Sequence, residues 1–137
     1  VDYRVDCGDA AVGILTDTGF VPEPAAAALT GVDLLVLESN HDVEWLRSGP
    51  YPFSLKQRIL GQRGHLSNED AAAFARRMAE CGTRCIVLAH LSRENNTPQR
   101  ALAVMETALS GLDVTVEVAP RGELSACYGA EVTLCRR

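Results

Sequence analysis

The sequence predicts an α/β layered domain, a sheet covered by helices, on three observations. Short apolar runs rich in branched residues alternate with helical stretches along the chain. Two of the runs, LLVLE (34 to 38) and CIVLAH (85 to 90), are almost wholly apolar, as strands buried on both faces are. Both lead directly into polar loops, the place where α/β sheets carry their sites. The 137 residues, 47% of them hydrophobic and 23% charged, supply the core of one ordinary domain.

Taken in order, YRVDC reads as a strand and GDAA as a turn. VGILTD (12 to 17) is a second strand, closing at Asp17-Thr18-Gly19. PEPAAAALTG is a short helix stopped by Gly31, and LLVLE is the next strand. VEWLR is helical until Ser48-Gly49-Pro50 ends it, with Trp45 expected in the core. FSLKQRILGQ places Phe53, Leu55, Ile59 and Leu60 at helical spacing and ends at Gly64. The clearest helix start is LSNEDAAAFARRMAEC: Ser67 is the N-cap, Asp70 follows three residues on, Glu69 adds charge to the first turn, and Gly82 closes the helix. After CIVLAH and the loop LSRENN, Thr97 and Pro98 open a helix with the stripe Leu102, Met105 and Leu109, closed by Gly111. VTVEV (114 to 118) and EVTLC complete the strands.

A formal net charge of -5 gives no global attraction to nucleic acid or an anionic membrane, so any polyanion contact must be local. No run approaches the roughly 18 apolar residues of a membrane span, and the opening VDYRVDCGDAAVG lacks a signal-peptide layout. The expected location is cytoplasmic. Five scattered cysteines without a CxxC pair fit reduced thiols, and Gly82 and Thr83 between Cys81 and Cys85 break a shared metal-binding face. The chain does not start with methionine and reads as part of a longer protein.

Each of the three histidines sits at a structural boundary: His41 after LLVLE, His65 before the helix cap, and His90 at the end of CIVLA. Asp17 closes another such element. Imidazole and carboxylate suit zinc, manganese or iron, and catalytic sites gather them from separate loops. No HxH or HxxxH pair is present, so the residues alone point to a hydrolytic or metal site on an α/β scaffold and go no further. Other readings stay open: Asp17 as a plain turn residue, Asn95 and Asn96 as helix caps, Lys56, Arg58 and Arg63 as a solvated face or as phosphate contacts, and Tyr51 as packing or as a base-stacking ring.

The ordered set GILTDTG, LVLESNHD, GPYPFSLKQRI, GHLSN and AHLSRENN resembles the C-terminal half of metallo-β-lactamase-fold hydrolases of the YycJ/WalJ branch, which are related to ribonuclease Z. The resemblance covers nearly all of the chain to about residue 100. It implies an αββα sandwich with a dinuclear metal site (Zn2+ or Mn2+) at the sheet edge. Residues 1–137 would then be a single partial domain, lacking the half that carries the HxHxDH ligand motif. By the same resemblance Asp17 is the metal-bridging aspartate and His90 the last histidine ligand. His65 is a proton donor or phosphate contact, and Glu38 is the carboxylate that orients it. His41 and Asp42 belong to the NHD signature and are expected near the substrate or supporting the site, as are Asn95 and Asn96.

The implied activity is that of a phosphodiesterase or nuclease, DNA exonuclease-like, with a single-stranded DNA or RNA substrate. The oligomeric state is left undetermined. The rival reading is a non-catalytic α/β fragment or binding module with an incomplete metal site. A half-sandwich is also expected to leave an apolar sheet face bare and to self-associate.

Overall fold

Strand β1 (Asp2–Cys7) turns back through Gly8, at φ 63°, onto strand β2 (Ala10–Leu15), pairing Cys7 with Ala10 and Asp2 with Leu15. The next three strands of this sheet join in parallel: β3 (Leu34–Glu38), β4 (Cys85–Ala89) and β5 (Thr115–Val118), in the order β1-β2-β3-β4-β5. The computed structural model describes residues 1–125, 127–128 and 134–135. Of the expected strand EVTLC, Leu134 and Cys135 are described, as strand β7 (Leu134–Cys135) paired with β6 (Cys127–Tyr128); its other positions lie outside the described residues.

Parallel strands need crossovers, and helices α1 (Glu23–Leu29), α4 (Asn68–Glu80) and α5 (Pro98–Ala108) supply them on one face of the sheet. Period-2 alternation sends Leu35, Leu37, Ile86 and Leu88 into that layer, where they meet Leu29, Met78 and Met105, all essentially sealed from solvent. The helix starts form as the side chains dictate. Ser67 accepts from the Asp70 N–H, and Thr97 accepts from the Arg100 N–H with Pro98 in the first turn. Short helices α2 (Val43–Ser48) and α3 (Phe53–Leu60) fill the crossover after β3.

Three expectations are corrected. The strand read as 12 to 17 ends at Leu15, so Asp17 stands in the loop beyond it. Trp45 is not core: it is 37% exposed, and the Arg100 guanidinium lies 4.0 Å from its ring centroid. The second sheet face is half-buried instead of bare, because Ala119 and Tyr128 pack against Leu34, Cys85 and Val87, and the Tyr128 hydroxyl donates to Glu117 at 2.8 Å. That burial raises the Cys85 thiol to about 11.

The register brings the chemistry together. Leu15 pairs with Leu37 and Glu38 with Ala89, so β2, β3 and β4 finish side by side and release their loops into one space.

Candidate active site at the strand ends

Glu38 ends β3 with no exposed surface, and its carboxylate collects the loops around it. Oε1 lies 2.8 Å from His65 Nδ1 and 2.5 Å from His90 Nδ1. Oε2 accepts from the Thr18 N–H at 3.2 Å and the Leu66 N–H at 3.3 Å. A buried carboxylate is tolerated only with such partners, and here the partners come from the TDTG, GHLSN and AHLS loops at once. Because Nδ1 of each imidazole faces Glu38, Nε2 is the ring nitrogen left for chemistry, and His90 Nε2 stands 3.7 Å from Asp17 Oδ1.

Asp17 and His90 are the two non-glycine residues with positive φ among the described residues, at 55° and 57°. His90 directly follows β4 and Asp17 stands two residues beyond the end of β2, where a left-handed residue swings the chain across the sheet edge. The conformation carries strain of about 1–2 kcal/mol for an L-residue and gathers at functional sites. Two glycines make the neighbouring fit possible. A Cβ on Gly19 would lie 2.0 Å from the Gly61 carbonyl, and one on Gly64 would lie 1.9 Å from that of Ile59, which accepts the His65 N–H at 3.1 Å.

Beneath the loops lies a buried amide knot. Asn96 Nδ2 donates to the Ser39 and Asn40 carbonyls and to Asn68 Oδ1, Asn68 Nδ2 returns a bond to Asn96 Oδ1, and Ser39 Oγ donates to Asn68 Oδ1 at 2.7 Å. Asn40 Nδ2 donates to the His90 carbonyl at 2.8 Å, which fixes the backbone that carries that imidazole. Above the knot a cleft of about 560 Å³ opens, with Asp17, His65 and His90 at its base and Tyr51, Arg58 and Arg63 on one wall. One ligating atom from each of Asp17, Glu38, His65 and His90 falls within 4.8 Å of the others, a donor set suited to a divalent metal.

No family model matches the chain. Over 116 residues, 85% of its length, it is 45% identical to the exodeoxyribonuclease WalJ of Streptococcus pneumoniae, and over 90 residues it is 46% identical to the exodeoxyribonuclease YycJ of Bacillus anthracis. The chain spans 43% and 34% of the length of these two relatives. Among solved structures, the metallo-β-lactamase-fold protein YhfI of Bacillus subtilis superposes with a TM-score of 0.61 at 19% identity, over 89% of this chain and 42% of its own. The chain is YycJ/WalJ-like, with the metallo-β-lactamase fold. A diphosphatase of the PhnP family shares that fold at a TM-score of 0.50 and 15% identity, over 93% of this chain and 44% of its own.

Within this YycJ/WalJ-like chain the expected residues divide. Asp17, Glu38, His65 and His90 come together at the strand ends. His41 is 1% exposed, does not line the cleft, and neither ring nitrogen has a hydrogen-bond partner among the described residues. Its burial lowers the imidazole pKa, reinforced by the charge of His65. Asp42 caps α2 by accepting from the Trp45 N–H at 2.8 Å and pairs with Arg100 at 2.5 Å. Burial pushes the Asp42 carboxyl up, but the Trp45 N–H and Arg100 outweigh it and hold it below its ordinary value. Asn95 is buried and its carbonyl accepts the Asp42 N–H, while Asn96 belongs to the amide knot. Thr97, not either asparagine, supplies the side-chain cap of α5.

Sequence reasoning missed the second bond of Glu38, to His90, and the knot of Ser39, Asn40 and Asn68. An SN pair in both LVLESNHD and GHLSN, answered by ENN, was the available signal. Lys56 leaves the list of phosphate contacts, since its Nζ donates to the Arg47 and Gly49 carbonyls, each at 2.6 Å.

Proposed function

We propose that this chain forms part of the active site of a metal-dependent phosphodiesterase that degrades single-stranded nucleic acid, DNA exonuclease-like, in the cytoplasm. The observation that carries the reading is the single buried carboxylate of Glu38 shared by His65 and His90. A metal-binding histidine ordinarily donates its other ring N–H to a carboxylate, which fixes the tautomer and raises ligand basicity. The exodeoxyribonuclease names of WalJ and YycJ support the substrate class.

In this reading residues 1–137 are a partial domain of the αββα sandwich, and an HxHxDH-bearing half supplies the other ligands. Asp17 and His90 fit a metal: an exposed carboxylate faces an imidazole nitrogen whose opposite edge is already anchored. Two divalent ions, Zn2+ or Mn2+, would supply a nucleophile at neutral pH and neutralise phosphate charge. The chain's own residues do the rest. Glu38 holds both imidazoles by Nδ1, and Asn40 pins the backbone beneath His90. His65 presents Nε2 to the cleft, where as the imidazolium it would give its proton to the departing oxygen.

The test uses the full-length polypeptide with Zn2+ or Mn2+, assayed on single-stranded DNA and on RNA. Asp17→Ala and His90→Ala are expected to lose both bound metal and turnover. His65→Ala should keep the metal and lose about 10²- to 10⁴-fold in turnover, the usual worth of a general acid. Failure of the wild type to degrade either polymer would sink the phosphodiesterase reading, and full turnover in His65→Ala would sink the donor role.

A further inference from the structure

The wall of the cleft carries charge that the fold does not use. Arg4, Arg76, Arg77, Arg84, Arg100 and Arg121 each donate to a carboxylate or a backbone carbonyl. Arg58 and Arg63, on α3 and the turn after it, are exposed, and neither guanidinium has a hydrogen-bond or ion-pair partner among the described residues. Both line the cleft that holds Asp17, His65 and His90. In a chain of net charge -5, two unpaired guanidinium groups beside that cluster form a local anion site. Tyr51, half-buried, adds an aromatic ring to the same wall.

The wall is also held in place. Gly19 packs backbone against backbone on Gly61 and Gln62, so the end of α3 is locked to the loop that carries Asp17. Lys56 ties the other side of α3 to the end of α2. The backbone that carries the arginines is therefore fixed beside the cleft.

We infer that this wall is the strand-holding site. Arg58 and Arg63 take the phosphates next to the one presented to Asp17 and His65, and the Tyr51 ring stacks on an adjoining base. Guanidinium contacts to phosphate with an aromatic platform are the general means of gripping a single strand without reading its sequence. The inference rests on the phosphodiesterase reading and names strand-binding residues within it.

The experiment is equilibrium binding of a fluorescent, cleavage-resistant phosphorothioate strand to the full-length polypeptide across a salt series. Each phosphate contact contributes about 0.7 to the slope of log affinity against log salt for a single strand, so Arg58→Ala and Arg63→Ala should each flatten the slope by about 0.7. Tyr51→Ala should weaken binding by about 5- to 150-fold and relieve quenching of a 2-aminopurine base, with Tyr51→Phe restoring both. Arg76→Ala, on the outer face of α4 and paired with Glu80, serves as the control and should leave the slope unchanged. Wild-type slopes in both cleft-arginine variants, or no binding by the wild type, would overturn the strand wall. Arginine-dependent binding by a wild type that degrades no polymer would overturn the phosphodiesterase reading and leave the wall standing.

Discussion

Replacing Glu38 with glutamine changes one oxygen for an NH2 group at nearly constant volume, and the four contacts of the carboxylate show that neither orientation of the amide fits. If the oxygen stays toward His65 and His90, the NH2 group faces the Thr18 and Leu66 N–H groups, donor against donor. Each buried donor left without an acceptor costs about 1–3 kcal/mol. These two bonds are long, 3.2 and 3.3 Å. The low end of that range therefore applies, about 2–3 kcal/mol for the pair. If the amide flips, its NH2 group meets both Nδ1 atoms, which must then accept, and the protons move to Nε2. That removes the lone pair His90 turns toward Asp17, with an expected fall of 10- to 100-fold in metal affinity, as for other lost carboxylate partners of ligand histidines. The assay is urea denaturation of full-length wild type and Glu38→Gln, with competition against a fluorescent zinc chelator. Each orientation moves one readout. A variant within about 0.5 kcal/mol of wild-type stability, the ordinary size of a neutral substitution, and with unchanged metal affinity would refute the account of Glu38 as the shared anchor.

Gly64→Ala drives a Cβ into the Ile59 carbonyl, which cannot yield without releasing the His65 N–H. A loss near the upper end of the 1–3 kcal/mol range for overpacking is expected, read from the denaturation midpoint. Asp42→Ala removes the cap of α2 and the partner of Arg100, for a loss of about 1 kcal/mol. Because the folded-state pKa of Asp42 is depressed, that contribution is fully present above about pH 3.9 and disappears as pH falls through the lower folded value; denaturation at pH 7 and pH 3 should show the variant's deficit shrinking in acid. His41 has its folded pKa depressed by burial, so the unfolded state binds its proton first and stability falls as pH drops below about 6.5, at no more than about 1.4 kcal/mol per pH unit. His41→Leu should flatten the difference in stability between pH 7.5 and pH 5.5, and an identical pH dependence in the variant would show that His41 is not the group responsible.

The layered architecture was legible because it follows local rules. LLVLE and CIVLA are apolar on both faces, and Ser67, Thr97 and Pro98 announce their helices within one turn. The four residues at the strand ends were legible as a set through the order of motifs, each loop contributing one or two of them. Lateral relations were not legible. The bond from His90 to Glu38 joins residues 52 apart in sequence, and the knot of Asn68 with Asn96 closes over 28. Such pairings depend on which strands are neighbours, and periodicity does not report that. Trp45 was misplaced for a related reason: a lone aromatic on a six-residue helix has no stripe to reveal its direction, and Arg100, from a distant helix, decides it. The strand ending at Leu15 instead of Asp17 reflects the left-handed turn at Asp17, which residue type alone permits without requiring.

That turn and its counterpart at His90 restrict which sequences can drift at this site. Aspartate, asparagine and histidine tolerate a left-handed backbone far better than branched or bulky residues, and glycine adopts it freely. Substitution at position 17 is therefore filtered by conformation before chemistry is tested: valine or leucine would unsettle the loop, whereas glycine or asparagine would leave it intact while removing the carboxylate. A lineage freed from selection for activity would be expected to keep this fold and to record its silence as a glycine or an asparagine in place of Asp17.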